Sequence, residues 1–237
     1  MIDPLPSKPL PRYLQISEML SREILAGHWR IGERIPTEVE LSASLGVAIG
    51  TLRKAVAELE QRGVLVRKQG SGTYVRTGKR GKNIYEFFRL ELKQGGGLPS
   101  AEIIALDVET PPEGVVFPGS ATAQKAYRIR RARLLNGMPI AAEEIWIDLR
   151  HKKNLQAREL SESLYLHYKD HFGFWISRVE DHISIDRLPA WACGPLSLPV
   201  DTPCTFIERH ASSNANLVEE YSKTWVNPKL AQYSARW

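Results

Sequence analysis

The residues of this chain best suited to chemistry are two arginines set two apart, Arg131 and Arg133, in a stretch from Lys125 to Leu135. In an extended strand successive side chains alternate between faces. Tyr127, Ile129, Arg131 and Arg133 therefore share one face, and Arg128, Arg130 and Leu134 take the other. A planar guanidinium fork suits an oxyanion such as phosphate or carboxylate. It equally suits a structural ion pair, because an unpaired buried charge is very costly. Asn136-Gly137 turns the chain back, and the next strand carries Ala141, Glu143, Ile145 and Ile147 in one parity. A three-residue turn sets Arg131 opposite Glu143, and a two-residue turn flips that register. The sequence leaves both open, although apolar matching of Ile129 with Ile145 favours the first.

A second cationic set lies near the N-terminus. Residues 1–80 hold 13 Lys and Arg against 8 Asp and Glu, whereas residues 81–237 hold 19 of each. The whole excess of +5 is thus concentrated in the first third, which suggests a polyanion-binding head on a neutral body. Three helices are expected there, over about Arg12–Ala26, from Thr37 to Leu45, and over about Ala48–Arg62. Thr37 and Glu40 form a capping box for the second. In the third, Leu52, Ala55, Val56 and Leu59 face inward and leave Ile49, Gly50, Arg53 and Lys54 outside. An arginine on such an outer face can reach guanine O6 and N7 bidentately. Two β-rich runs, Val64–Lys68 and Thr73–Val75, flank Gln69-Gly70-Ser71-Gly72 and read as a hairpin. Arg67, Lys68 and Arg76 are placed on it to meet phosphates, and Gly70 and Gly72 allow close backbone approach.

Residues 78–98 read as a linker, with a short helix possible between Ile84 and Leu92 and with Lys79, Arg80 and Lys82 among glycines. Strand-like runs then appear at 101–109, 125–135, 139–149, 174–185, 204–211 and 217–226, with a helix at about Ser161–Phe172. The expected fold class is α+β, with a winged helix-turn-helix over 1–77 and a largely antiparallel sheet domain over 99–237. No run of about 18 apolar residues is present to cross a membrane, and a Pro-rich start without a signal core suggests the cytoplasm. Cys193 and Cys204 fit no disulfide or zinc pattern. His167 and His171 have metal-binding spacing but no evident third ligand, so no metal and no cofactor are expected, and both are read as surface or interface histidines.

The stretch Gly32-Glu33-Arg34-Ile35-Pro36-Thr37-Glu38, with Leu41, Gly46-Val47, Thr51-Leu52-Arg53, Leu59-Glu60, Gly63 and Gly70–Val75, resembles the GntR family of bacterial regulators. Tyr127–Arg133, Asn136-Gly137, Pro139–Glu143, Ser163-Leu164-Tyr165, Gly173 and Glu220-Tyr221-Ser222 resemble the ligand-sensing UTRA domain of its HutC branch, which has a chorismate-lyase-like fold. The resemblance implies operator DNA as partner, contacted by Arg34, Thr37, Ile49, Gly50, Thr51, Arg53, Lys54, Arg67, Lys68, Gly70 and Gly72. It implies a small anionic effector, a phosphorylated sugar or carboxylate, held by Arg131, Arg133, Glu143, Ser163, Tyr165 and Glu220. Trp225 stands where the family often has tyrosines and an acidic residue, and reads either as a stacking wall of that pocket or as a core tryptophan. A homodimer on a near-palindromic operator, acting as a repressor, is the expected mode. Ala48, Ile49 and Val39 stand where the family usually has serine, arginine and arginine, so either an operator different from the usual sites or weaker binding is expected. The rival expectations are a lyase-like enzyme carrying a DNA-binding head, and a DNA-binding dimer without a ligand.

Overall fold

The computed structural model describes residues 5, 8–25, 27–76, 87–118 and 125–235. Lys79, Arg80, Lys82 and the start of the expected Ile84–Leu92 helix lie outside them. The chain forms two units, each with its own contacts: one built on Leu10–Arg89 and one built on Met1–Pro9, Leu90–Gly95 and Pro99–Gln232.

The first unit holds α1 (Arg12–Leu25), α2 (Glu38–Leu45), α3 (Ile49–Gln61), β1 (Leu65–Lys68) and β2 (Gly72–Val75). Its core gathers Ile16, Met19 and Leu20 of α1, Leu41 of α2, and Leu52, Ala55, Val56 and Leu59 of α3. These positions recur every three or four residues, which is why each helix buries one stripe. Leu65 and Val75 close the core from the hairpin. The segment before α2 joins that hairpin through an isolated bridge at Arg34–Tyr74, with Ile35 N donating to Thr73 O at 3.0 Å and Val75 N to Glu33 O at 2.9 Å. This is a winged helix-turn-helix.

The second unit is a six-stranded antiparallel sheet. Its strands are β4 (Pro99–Glu109), β5 (Ala126–Leu135), β6 (Met138–Asp148), β7 (Ile176–Arg187), β8 (Pro203–Ser213) and β9 (Val218–Val226), in the order β4-β5-β6-β9-β8-β7. A short helix, α4 (Leu164–His167), continues through a π-helical turn to Phe172, and α5 (Ala190–Leu196) precedes β8. Leu90–Leu92, expected as the end of a helix, forms strand β3 and pairs with β10 (Ala231–Tyr233). All three of its residues are buried, so pairing with a distant partner decides a run too short for its periodicity to do so. Among the described residues no helix is long and apolar enough to cross a membrane.

The β5–β6 hairpin corrects the simple turn argument. Leu135 pairs with Met138, so the loop is the two-residue Asn136-Gly137, with φ of 52° and 75°. That is the conformation the tight primed turns require, and glycine adopts it without strain. The register nevertheless places Arg131 opposite Glu143 and Ile129 opposite Ile145. The pairing jumps from Leu134–Pro139 to Arg133–Ala141, leaving Ile140 as a bulge that restores the parity the turn would have flipped.

Candidate functional sites

In the helical unit, α2 begins at the expected capping box. Thr37 Oγ1 accepts from Glu40 N at 3.3 Å, and Thr37 N donates to a Glu40 carboxylate oxygen at 2.7 Å. Ala48 precedes α3 and makes no side-chain cap bond. Arg53, Lys54 and Gly50 are exposed and Ile49 is at its helix start. A groove of about 430 Å³ runs between the starts of α2 and α3 and the hairpin. It brings together Arg34, Thr37, Ile49, Arg53, Arg67, Lys68, Gly70 and Gly72. Gly50, Thr51 and Lys54 do not line it.

Glu38, which sequence reasoning passed over, organises this groove. One carboxylate oxygen accepts from Arg53 Nε at 2.9 Å and the other from Arg67 Nη2. Helix α3 and the hairpin are thereby tied through one residue. Gly72 has φ 123°, which other residues rarely adopt, and a Cβ there would meet Arg34 Nε at 2.6 Å and displace that side chain from its place across the hairpin. Lys68 Nζ sits 4.4 Å from the Tyr74 ring centroid. The arrangement is concave, cationic and mounted on a helix N-terminus, which suits a nucleic-acid backbone with a helix in its groove.

In the sheet unit, one face carries the charge. The cross-strand register lines up Arg131 with Glu143 and Thr224, Ile129 with Ile145, Ser222, Arg209 and Asp181, and Tyr127 with Ile147 and Glu220. Arg131, Arg133 and Glu220 are 8%, 4% and 3% exposed, so three full charges lie inside the protein. Arg131 Nε donates to Glu143 Oε2, and Arg131 Nη1 to Glu162 O at 3.2 Å. Arg133 Nε lies 3.8 Å from the same Glu143 oxygen. Burial by itself would raise the Glu143 carboxyl, but Arg131 and Arg133 hold it below its ordinary value. Burial would likewise depress Arg131, and Glu143 followed by Glu220 keeps it above.

Glu220 accepts from Tyr165 Oη at 3.3 Å and from Tyr168 Oη at 2.6 Å. Burial pushes its carboxyl up, against the pull of Tyr168 and Arg131. Arg209 grips Asp181 in a two-pronged pair at 2.6 and 2.7 Å and also reaches Tyr165. Tyr168, Arg209 and Asp181 were not anticipated. Tyr168 was within reach of sequence reasoning, since it lies three residues beyond Tyr165 and so on the same helix face. The Arg209–Asp181 pair depends on the β7–β8 register, which no local pattern announces.

Ser163 is buried and caps α4, its Oγ accepting from Leu166 N at 3.4 Å. The structure thus unites Arg131, Arg133, Glu143, Tyr165 and Glu220 on one side of the sheet, with Ser163 at the helix start that follows Glu162. It does not bring Trp225 there. Along β9 positions 220, 222 and 224 face the charged side, so 225 faces the other. Trp225 packs instead with Trp191 of α5 and with Phe206, and its Nε1 donates to Asp186 Oδ2 at 3.0 Å. Of its two readings, the core contact is the one formed.

His167, read as a surface or interface residue, is 2% exposed within the chain itself. Its ring lies 5.0 Å from Phe172 and 4.6 Å from His171, and neither ring nitrogen has a hydrogen-bond partner among the described residues. Burial and then His171 depress its pKa to about 4. Among the described residues no group of three or more His, Cys, Asp or Glu is placed to hold a metal.

Comparison with known proteins connects both sites. Residues 12–75 match bacterial regulatory proteins of the gntR family, and residues 94–231 match the UTRA domain. The HTH-type transcriptional regulator SmoD of Agrobacterium fabrum is 41% identical over 227 residues, 96% of each chain. The HTH-type transcriptional repressor NagR of Bacillus subtilis is 25% identical over 219 residues, 91% of this chain and 90% of that one. The crystal structure of PhnF from Mycobacterium smegmatis shares the fold, with a TM-score of 0.52 at 19% identity over 92% of this chain and 98% of that one.

Proposed function

Since this chain belongs to the GntR family of bacterial transcriptional regulators, with a UTRA domain, we propose that it is an operator-binding repressor released by a small anionic metabolite. Its relatives are transcriptional regulators, and the lyase alternative finds no counterpart among them. The observation that carries the reading is the set of nine-tenths-buried charges on one sheet face, Arg131, Arg133 and Glu220, flanked by Glu143 and Tyr165. Proteins keep such groups inside only where partners satisfy them. Here the arginine forks supply oxyanion donors and the carboxylates supply acceptors for hydroxyl groups. A phosphorylated sugar or a sugar carboxylate offers both kinds of partner.

In the head, Arg53 reads a base edge, and Arg34, Arg67 and Lys68 position the duplex through phosphates. Ile49 offers a thymine methyl an apolar contact where an arginine would seek guanine. Effector and operator affinities then change reciprocally, because both ligands act on one equilibrium.

The test is operator binding by the full chain to fragments of its own promoter region, with and without a panel of phosphorylated sugars and sugar carboxylates. One class of anion should raise the melting temperature and release the DNA. If DNA binds but no anion changes either readout, the sensor assignment fails and the Arg131–Glu143 pair is purely structural.

A further inference from the structure

Two large aliphatic side chains stand bare on the cationic groove of the head. Val39 is 65% and Ile49 36% exposed, and both line the cavity that holds Arg34, Arg53, Arg67 and Lys68. They occupy similar places, Val39 in the first turn of α2 and Ile49 at the first residue of α3. Neither belongs to the hydrophobic core of the head. A groove rich in arginine attracts phosphate, yet phosphate offers an aliphatic side chain nothing. The apolar group that a base edge presents in the major groove is the C5 methyl of thymine.

Gly50 is an independent observation at the same place. Glycine weakens a helix relative to alanine. Gly50 is exposed, its backbone is not left-handed, and a Cβ built on it meets nothing within 4 Å. No contact inside the chain therefore requires glycine there. Its missing side chain leaves room outside, next to Ile49, for a base edge to approach α3 closely.

We propose that Val39 and Ile49 form an apolar notch, cleared by Gly50, that takes the C5 methyl of one thymine in each operator half-site. The notch rests on the reading of the head as an operator binder, and it gives that operator a required base. Ile49 and Arg53 are four residues apart and share a face of α3. At 1.5 Å per residue they are about 6 Å apart along the helix, under two base-pair steps. The thymine therefore lies within two base pairs of the guanine that Arg53 reads, with the Arg53 guanidinium steadied by Glu38 at 2.9 Å.

Duplexes that the full chain selects from a random-sequence pool supply the probe, and fluorescence anisotropy at fixed salt gives the affinity. Each thymine of the selected half-site is replaced singly by deoxyuridine, which removes the methyl and keeps every hydrogen-bonding group. One such replacement, within two base pairs of a required G·C pair, should weaken binding about 4-fold, the worth of one buried methyl. In the double variant Val39→Ala, Ile49→Ala that thymine-to-uracil ratio should fall to about one, since the notch that senses the methyl is gone. Gly50→Ala should raise the melting temperature and yet weaken binding to the same duplex about 10-fold, because its methyl fills the cleared space. The proposal is overturned if no thymine responds to loss of its methyl, if the double variant keeps the full ratio, or if Gly50→Ala binds as tightly as the unaltered chain. A pool that yields no bound duplex overturns the operator reading itself, and the notch with it. Should a variant misfold, the deoxyuridine series on the unaltered chain decides the matter alone.

Discussion

The Arg131–Glu143 pair can be tested for structure and for function separately. Arg131→Met leaves Glu143 buried beside Arg133 alone, and removing one partner of a buried pair costs about 3–5 kcal/mol. The double variant Arg131→Met, Glu143→Leu should regain only part of that stability, because apolar residues can replace a buried pair but Arg133 then loses its contact with Glu143. Denaturant midpoints measure both. Effector-dependent release of DNA should be absent from both variants; if it survives in the double variant, the pair has no part in binding. His167 gives a second residue-scale test. Its folded pKa of about 4 lies below the ordinary 6.5, so folding favours the neutral ring. The unfolded chain takes up that proton first, and stability present above pH 6.5 is lost as pH falls toward 4. Between pH 7 and pH 5 the loss is about 2 kcal/mol, several degrees in melting temperature. His167→Leu should flatten that part of the profile; a wild-type curve equally flat would refute the argument.

At the scale of elements, the two helix starts of the head make a matched pair. Thr37 caps α2 and Ala48 leaves α3 uncapped. Thr37→Ala should lose about 1 kcal/mol, and Ala48→Ser should gain about as much, both by thermal or urea unfolding. These elements were legible because capping boxes, glycine stops and 3.6-residue stripes are local signals. Most strands of the sheet were legible too, through alternation and turn chemistry. What escaped was non-local. Ile84–Leu92 suggested helix, and only pairing with β10 makes its end a strand. Helix α5 hid behind Gly194 and Pro195, which read as breakers. The bulge at Ile140 lay beyond any count of turn residues, yet it decides which side Glu143 faces. Of the two readings open for Trp225, strand alternation decides for the core: 220 and 225 differ in parity along β9, so their side chains take opposite faces.

On the scale of the molecule, the positive excess of the first 80 residues predicts a steep salt response. If two heads together neutralise about six phosphates, operator affinity should fall about 1,000-fold between 50 and 200 mM salt. Titrations by fluorescence anisotropy measure the slope, and a flat line would deny the head its polyanion. The course of the backbone adds a last point. Lys8 is clasped from both sides of its peptide, its N–H bonded to Leu160 O at 2.9 Å and its carbonyl accepting from Glu162 N at 3.2 Å. The carbonyl of Glu162 in turn receives Arg131. Lys8 is therefore fastened to the segment that positions Arg131, although the entire DNA-reading head intervenes in sequence. A sensor fragment cut from residue 90 onward would lack Lys8, and measurements on such a fragment would report a slackened arginine in place of the native one.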